Sequence, residues 1–587
     1  MNKNTCLCPK APGFPRFFKG AARIIIVLIA IAASVAAMCS KDGWHIDEIA
    51  TLGLANGSQA GYITAYDDAK YGRGAFIRDH ILGDNAGEMI ENVKGILSDI
   101  AEKGLSGFSI RDQYVAYRET SEPVWKKGSE FAEYLRADGF SVRDVYLNQA
   151  LDTHPPVYYL FVRAAYALHS ALGGGFSLWP AYFVNALFLA LSCLLLMHIG
   201  EKRFGSFALG TGAALFFALS PAGLSLAVYM RMYMTLCFFL LLSLDAHLAL
   251  MQNKWQFTRK ISWYIALTCA LGFMTHYYFA IWAVFMAAAC FVSMLLSRCG
   301  RRVLPYIGRM ASGVALSLVL WPFSAVHLLL SNRSAEAVGA LSGGAFEKLA
   351  SSFAIFRSHL FGAPVFVPIA LVLLCAAVLS LHRAGKLPFS DSSPPNTPVA
   401  LVFFPAALYL LVVFVISPYE DLRYMACAVP LIAMCAAWCI WQAARLCPCD
   451  MSRTVACALL CAAVALSGLA TQSPMYLYPG TQEVYDAVNA HSGKKCVYLT
   501  SSGAAFFREM PLLSRCDEVL IVNRGEMRIL AGEETIAGAD EILLFIHDSY
   551  PQTDAMHAVL ELTGFSDYEV LAQSHAGLDA RAYLLKK

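Results

Sequence analysis

The chain has 587 residues, of which 57% are hydrophobic and only 15% are charged, and its net charge is +2. Soluble domains carry about 25% charged residues, so this composition is typical of a protein that places much of its surface in lipid. The small net charge excludes the broad basic field on which nucleic-acid binding depends.

Apolar stretches of spanning length recur along the chain. Crossing a bilayer takes about 20 apolar residues, and by this criterion the sequence predicts about 11 transmembrane helices. The first stretch is longer than the apolar region of a cleaved signal peptide, so we expect it to be retained. The predicted spans lie near residues 21–39, 181–199, 207–222, 233–251, 262–275, 278–297, 310–328, 363–381, 399–417, 424–443 and 454–470.

Basic residues predict the orientation of these spans, because lysine and arginine concentrate in cytoplasmic loops. Four basic residues precede the first span, and every second loop after it is also basic, beginning with Lys202 and Arg203. We therefore expect a cytoplasmic N-terminus. Residues 157–172 are apolar but contain Arg163 and His169, and counting them as a span would invert every later loop. They are predicted to form an amphipathic helix on the outer leaflet.

This topology divides the chain into two parts. Residues 1–470 are predicted to form a transmembrane domain, with a long first extracytoplasmic loop at about 40–180 and a second outer loop at about 329–362. An amphipathic helix is expected near residues 85–102 of the first loop.

Residues 471–587 are polar enough for a small extracytoplasmic α/β domain. Its predicted strands are Val497–Thr500, Val519–Val522 and Ile542–Ile546, with helices near 503–513 and 553–563. Cys496 and Cys516 each precede a strand, and the sequence leaves open whether they form a disulfide.

Polar residues gather at the predicted outer ends of the spans. Ionisable groups beside apolar spans are costly, so their convergence on one membrane face predicts a reaction centre. Each residue alone has a simpler explanation: solvation accounts for the acids, an interfacial belt for the tyrosines, and contact with lipid headgroups for the arginines. The residues are Asp47, Glu48, Asp152, His154, Arg231, His276, Tyr277, Tyr278, Arg423 and Tyr424.

Five segments resemble, in chain order, motifs of the GT-C superfamily of membrane glycosyltransferases, in particular of bacterial glycosyltransferase family 39. That family includes protein O-mannosyltransferases and lipid A aminoarabinose transferases, and no segment selects either subgroup. The motifs leave the C-terminal domain uncovered. The segments are WHIDEIA (44–50), DTHPPVYYL (152–160), VYMRMYM (228–234), MTHYYF (274–279) and SPYEDLRYMACAVP (417–430).

The resemblance implies an inverting glycosyltransferase of the cell envelope, in the bacterial plasma (inner) membrane. Such an enzyme moves a sugar from a polyprenyl-phosphate donor to a hydroxyl of a lipid, glycan or protein on the extracytoplasmic face. Asp47 is predicted to be the general base. Glu48 is predicted as a second catalytic residue that orients groups or binds sugar hydroxyls, and Arg231 and Arg423 are predicted to bind the donor phosphate.

The other substrate-binding residues predicted in this way are Asp152, His154, Tyr233, His276, Tyr277 and Tyr424. No cofactor is predicted to be required. A divalent metal held by Asp47, Asp152 and His154 stays open.

The sequence has two alternative functional interpretations. A transporter or flippase for lipid-linked sugars needs polar groups near the bilayer midplane and often internal repeats, which the sequence does not indicate. A non-catalytic, lipid-binding membrane scaffold stays open. Neither the donor sugar nor the acceptor is predicted.

Overall fold

A computed structural model describes residues 16–56, 63–103, 113–114, 116–117, 121–136, 141–150, 152–330, 345–386, 397–500, 505–574 and 577–587. Helices dominate the chain up to residue 471. In the N-terminal third they are α1 (Arg16–Cys39), α2 (Ile46–Ala55), α3 (Asp68–Tyr71), α4 (Arg73–Ile77), α5 (Ala86–Lys103), α6 (Gly128–Leu135), α7 (Val142–Ala150) and α8 (Val157–Ala171).

The long apolar helices follow. They are α9 (Trp179–Arg203), α10 (Phe207–Leu219), α11 (Pro221–Val228), α12 (Tyr233–Gln252), α13 (Arg259–Phe273), α14 (Tyr278–Leu296), α15 (Val303–Leu320), α16 (Phe323–Leu330), α17 (Ala345–Phe361), α18 (Phe366–Arg383), α19 (Thr397–Ile416), α20 (Val429–Ala444) and α21 (Asp450–Thr471). A 3-10 segment, Leu422–Ala428, leads directly into α20.

Among the described residues, nine helices are long and apolar enough to cross a membrane, and the bent pair α10–α11 makes a tenth. The predicted span at 262–275 falls in α13, which has only 15 residues and is short for a complete crossing. The predicted span at 207–222 falls on the bent pair, whose first helix α10 has 13 residues. The remaining predicted spans coincide with long helices, although the one at 310–328 ends earlier, at Leu320. The predicted polytopic, helical membrane fold is confirmed.

The bend between α10 and α11 measures 61°. Pro221 lacks a backbone N–H and clashes with the preceding turn, so α10 cannot continue through it. The Ser220 hydroxyl accepts a hydrogen bond from the Gly223 N–H at 3.1 Å and caps the new helix. After α11 ends, the chain turns through Tyr229 and Arg231 before α12 begins, which brings these two side chains beside the start of α2.

Residues 157–172 form α8, as the sequence predicts, and α8 packs against α2, α7 and α9. Its inward face is fully buried and includes Tyr158, Tyr159 and Val162. A helix of 15 residues is too short to cross a bilayer alone.

The C-terminal domain carries a six-stranded sheet in the order β1-β3-β2-β4-β6-β5. The strands β2, β3 and β4 are parallel and confirm the three predicted strands. The strands β1, β5 and β6 are not predicted from the sequence, and β1 comes from the first loop rather than the tail. The strands are β1 (Trp125–Lys127), β2 (Cys496–Thr500), β3 (Glu518–Asn523), β4 (Glu541–His547), β5 (Asp567–Ala572) and β6 (Ala580–Lys586).

The helices of this domain are α22 (Thr481–Asn489), α23 (Met510–Leu513), α24 (Glu534–Ala537) and α25 (Gln552–Thr563), with 3-10 turns at Ala505–Phe507 and Arg524–Leu530. Cys496 and Cys516 are both buried, free thiols.

The domain is fixed directly to the segment between α1 and α2. The Asp42 N–H donates to the Leu477 carbonyl at 2.8 Å, and the Gly480 N–H donates to the Asp42 carboxylate at 2.8 Å. The Trp44 indole N–H donates to the Arg508 carbonyl at 2.9 Å. The C-terminal domain therefore borders the residues that begin α2.

Candidate functional site

The site is organised by the first turn of α2. His45 caps this helix, and its Nδ1 accepts a hydrogen bond from the Asp47 N–H at 3.1 Å. The Glu48 carboxylate accepts from the His45 N–H at 2.7 Å, which completes a capping box. The two neighbouring acids then diverge, because the Glu48 side chain is fully buried whereas 33% of the Asp47 side chain is exposed.

Glu48 is enclosed by partners. Its carboxylate accepts from Lys41 Nζ at 2.7 Å and from the Met230 N–H at 2.9 Å. Lys41 Nζ also donates to the Val228 carbonyl at 3.1 Å. Burial lowers the pKa of the Lys41 ammonium, and the Glu48 carboxylate opposes this shift. These contacts join α1, α2 and the end of α11, and they favour a positioning role for Glu48 over the predicted catalytic one.

Replacing Glu48 with glutamine is expected to lower stability strongly, because it leaves the buried Lys41 charge without its counter-ion. Breaking one side of a buried ion pair costs about 3–5 kcal/mol. The exposed pair of Lys94 and Glu91 provides the control, since Glu91→Gln removes a pair worth less than about 1 kcal/mol. Thermal unfolding in detergent compares the two variants, and equal transition temperatures would contradict the structural role of Glu48.

Asp47 lies at the centre of a polar cluster. Its Oδ2 accepts from the Tyr229 hydroxyl at 2.8 Å and from Arg423 Nη1. Arg423 Nη1 also donates to the Tyr229 hydroxyl at 2.8 Å. Burial raises the pKa of Asp47, but Arg231, His45, Arg423 and the Tyr229 hydroxyl outweigh that effect and hold the pKa well below its usual range. Asp47 is therefore a carboxylate at every physiological pH.

Arg231 connects Asp47 to a second polar pair. Its Nη1 donates to the Thr51 hydroxyl at 3.1 Å and to the Asp47 backbone carbonyl at 3.3 Å. Its Nη2 lies 3.3 Å from His154 Nε2. The guanidinium also lies over the Tyr159 ring, 5.8 Å from its centroid.

Asp152 and His154 form that second pair, with 2.6 Å between Asp152 Oδ2 and His154 Nδ1. The hydrogen bonds assign the proton to Nδ1, which donates to Asp152, and leave Nε2 to accept from Arg231. Burial raises the pKa of Asp152, but His154 and Arg231 outweigh it and lower the pKa below its usual range.

His276 lies beside this pair, with its ring centroid 5.9 Å from that of His154. Its Nδ1 accepts from the Tyr278 N–H at 3.0 Å, so Nε2 carries the ring proton. Burial, followed by the neighbouring His154 and Arg231, lowers the pKa of His276 well below its usual value. The neutral ring is therefore suited to donate one hydrogen bond.

Tyrosine rings enclose the cluster. Tyr233 is stacked parallel to Tyr229 at 5.9 Å and lies 5.4 Å from His276. Arg423 lies over the Tyr424 ring, 5.0 Å from its centroid. Tyr277 points elsewhere, since its hydroxyl lies 2.8 Å from His327 Nδ1 and accepts from the Trp321 indole.

The structure thus brings together eight of the ten predicted site residues. Glu48 is held behind the cluster, and Tyr277 lies to one side with its hydroxyl in another network. The eight are Asp47, Asp152, His154, Arg231, Tyr233, His276, Arg423 and Tyr424.

Sequence reasoning missed several members of the cluster. Tyr229 lies inside a quoted motif but was not selected, although it bridges Asp47 and Arg423. Tyr476 comes from the tail and stacks on Tyr229 with 4.0 Å between ring centroids, and its hydroxyl donates to Asp421. Asp421 accepts from the Arg423 backbone N–H at 3.0 Å. No sequence signal marked Tyr476, because its role depends on how the C-terminal domain folds back.

The geometry does not fit the metal site that the sequence left open at Asp47, Asp152 and His154. Arg231 lies between Asp47 and His154 and already supplies positive charge there. In the part of the chain that the structure describes, no group of three histidine, cysteine or acidic side chains is arranged to hold an ion.

The two arginines retain unused donors. Within the described ranges, the buried Nε atoms of Arg231 and Arg423 have no hydrogen-bond partner. Arg423 Nε lies 3.7 Å from Asp421 Oδ2, which is an ion-pair distance but too long for a hydrogen bond. Buried donors are rarely left unsatisfied, and a ligand is one explanation for such an exception. Guanidinium groups bind phosphate through paired N–H donors, so an anionic oxygen at this position would satisfy them.

Comparison with solved structures finds similar folds. One is ArnT from Cupriavidus metallidurans bound to undecaprenyl phosphate, with 12% identity, 96% of this chain and 97% of that chain covered, and a TM-score of 0.47. Another is the archaeal oligosaccharyltransferase AglB from Archaeoglobus fulgidus in complex with an inhibitory peptide and a dolichol-phosphate (10% identity, 93% and 72% covered, TM-score 0.44). A third is the arabinofuranosyltransferase AftD from Mycobacteria (13% identity, 98% and 40% covered, TM-score 0.38). No protein-family model and no curated protein sequence matches the chain significantly.

The helix cap at His45 predicts a pH-dependent stability. Burial, against the attraction of Asp47, lowers the pKa of His45 from 6.5 to about 4. The unfolded chain therefore binds a proton in this window that the folded chain rejects, so stability is lost as pH falls from 6.5 towards 4. The slope for one such group approaches about 1.4 kcal/mol per pH unit.

His45→Asn keeps a capping side chain and removes the titration. The transition temperature of thermal unfolding, measured from pH 7.5 to pH 4.5, should therefore fall less steeply for this variant than for the wild type. Identical slopes would show that His45 does not titrate in this way.

Proposed function

We propose that this protein is an inverting glycosyltransferase that transfers a sugar from a polyprenyl-phosphate donor to an acceptor hydroxyl. One observation carries the proposal. An ionised Asp47, one third of whose side chain is exposed, is paired with two buried arginines whose Nε atoms have no hydrogen-bond partner among the described residues, at the ends of apolar helices. A base beside a phosphate-binding pair meets the two chemical demands of this reaction. The ordered motif resemblance at residues 44–430 supports the same class.

Asp47 acts as the general base in this proposal. An acceptor hydroxyl becomes a competent nucleophile when a base removes its proton during attack on the anomeric carbon. A single carboxylate suffices, because a single displacement inverts the anomeric carbon without a covalent intermediate. Asp47 is the most exposed carboxylate of the cluster, and the Asp152 side chain is only 11% exposed.

The ion pair with Arg423 regulates this base. While Arg423 donates to Asp47, the low pKa of the carboxylate makes it a weak proton acceptor. A donor phosphate bound by Arg423 competes for the same guanidinium, and this competition raises the basicity of Asp47. The base therefore becomes effective when the donor is present.

Arg231 and Arg423 bind the phosphate and stabilise the negative charge that it gains as the sugar leaves. His276 adds one neutral donor through Nε2. Asp152 and His154 hold Arg231 in place, and Tyr229, Tyr233 and Tyr424 line the space around the arginines.

The site is proposed to face the extracytoplasmic side of a bacterial inner membrane. Lys202 and Arg203 lie at one end of the helices, whereas Lys41 follows the opposite end of α1, near the site. In intact cells, a membrane-impermeant maleimide should label Gln482→Cys in the C-terminal domain but not Lys202→Cys, with the exposed Cys39 replaced by serine in both. Labelling of Lys202→Cys from outside would contradict this orientation.

The test of the function is a mass-spectrometric assay of the purified protein with a panel of polyprenyl-phosphate sugars and a membrane extract as the acceptor source. Transfer predicts release of the free polyprenyl phosphate together with one glycosylated product. Donor binding without turnover across the panel would contradict the transferase and favour a scaffold. Movement of intact donor across proteoliposomes would favour a flippase.

A further inference from the structure

A second polar cavity lies at the other end of the helix bundle, distant from Asp47. It has a volume of about 260 Å³ and lies between the first turns of α1, α10 and α21. Lys19, Lys202 and Arg453 contribute cationic side chains to its lining, and Glu201 and Asp450 contribute the acidic ones. α1 is 24 residues long, so the cavity and Asp47 are separated by about 36 Å of helix.

The acidic groups of this cavity are already neutralised. Glu201 accepts from Lys19 Nζ at 2.9 Å and also from Arg23. Asp450 accepts from Arg453 Nη1 at 3.0 Å. Two cations therefore share Glu201, and Lys202 adds a further positive charge, with no ion pair or hydrogen bond to its Nζ among the described residues. The cavity therefore carries a net positive charge, which favours binding of an anion.

Exposed apolar residues on the helices that border the cavity indicate which kind of anion it binds. From the start of α21, Met451, Val455 and Leu459 form an exposed apolar stripe at helical spacing. The first turns of α1 expose Phe17 and Ile24. An anionic headgroup in the cavity would place its acyl chains against these faces.

We propose that this cavity binds the phosphate of an anionic phospholipid. The basic loops predict that it faces the cytoplasmic leaflet, where anionic lipids attract lysine and arginine side chains. The ligand is held by Lys19, Lys202 and Arg453. The site is separate from the proposed transfer reaction and fixes this end of α1 and α21 in the leaflet.

Native mass spectrometry of the delipidated full-length protein tests the proposal with phosphatidylglycerol and phosphatidylcholine of matched acyl chains. The wild type should retain phosphatidylglycerol preferentially. Lys202→Ala should weaken that binding about fivefold, since one lysine near the membrane surface contributes about 1 kcal/mol. Lys19→Ala should weaken it as well.

The matched control is Lys260→Ala, because Lys260 is an exposed lysine at the start of α13 and lies outside the cavity. It should leave phosphatidylglycerol binding unchanged. An equal loss in Lys260→Ala, or no preference for phosphatidylglycerol in the wild type, would overturn the proposal.

Inorganic phosphate distinguishes the source of the anion. At millimolar concentration it should displace phosphatidylglycerol only partly, because the acyl chains add apolar contacts that free phosphate lacks. Complete displacement would overturn a lipid as the ligand. Donor binding at the Asp47 site is expected to be unchanged in Lys202→Ala, so failure of one proposal is distinguishable from failure of the other.

Discussion

Asp47→Asn is expected to abolish sugar transfer while donor binding persists. Asparagine keeps an oxygen that accepts from the Tyr229 hydroxyl but cannot take a proton from the acceptor. Loss of a general base typically lowers the rate on the order of 10²–10⁴-fold. The measurement is the turnover rate of the purified variant with a donor that the wild type uses, together with the dissociation constant for that donor.

Asp67→Asn is the matched control for this variant. Asp67 is an acid of the first loop whose side chain caps a short helix by accepting from the Ala69 N–H at 3.0 Å, and asparagine preserves that cap. Its turnover should equal that of the wild type. Full activity of Asp47→Asn would remove Asp47 from the role of base, whatever the control does.

Arg423→Ala is expected to weaken both donor binding and transfer. Arg423 is the only arginine of the described site that touches the Asp47 carboxylate directly, and in the proposal it exchanges that partner for the donor phosphate. Removing one charge-stabilising donor typically lowers the rate on the order of 10²–10³-fold. Donor affinity and turnover at saturating donor measure the two effects separately.

Two further variants sharpen this prediction. Arg423→Lys keeps the charge but loses the paired donors, so it should recover only part of the activity. Arg357→Ala is the control, because Arg357 donates to the Gly362 and Ala363 carbonyls and lies outside the cluster. Wild-type kinetics for Arg423→Ala would make Arg423 a structural arginine, held by Asp421.

The apolar helices could be predicted well from sequence, because length and hydropathy act locally. The charge pattern also predicted that 157–172 is not a span, and α8 is a short helix of 15 residues. α13 shows the limit of this reasoning, since the apolar run at 262–275 marks the helix, but its 15 residues are short for a complete crossing. The kink at Pro221 was similarly unmarked, although it positions Tyr229 and Arg231.

The site was predicted less completely, for a physical reason. Asp47, Arg231 and Arg423 stood out because charge beside apolar spans is costly. The sequence could not predict that Glu48 is buried while Asp47 faces the site. The direction of the Glu48 side chain depends on its contacts with Lys41 and the Met230 backbone. Tyr476 joins the site, and β1 joins the sheet, through contacts between segments hundreds of residues apart. A local sequence pattern cannot predict such contacts.

A single-turnover experiment tests whether Asp47 is the base of the proposed transfer. The purified protein is loaded with one equivalent of a donor that the wild type consumes, mixed with acceptor, quenched at intervals and analysed by mass spectrometry. We expect the wild type to convert the bound donor to free polyprenyl phosphate and glycosylated acceptor, whereas Asp47→Asn should keep the donor bound and intact. Equal conversion by both proteins would contradict Asp47 as the base and the reaction centre built around it.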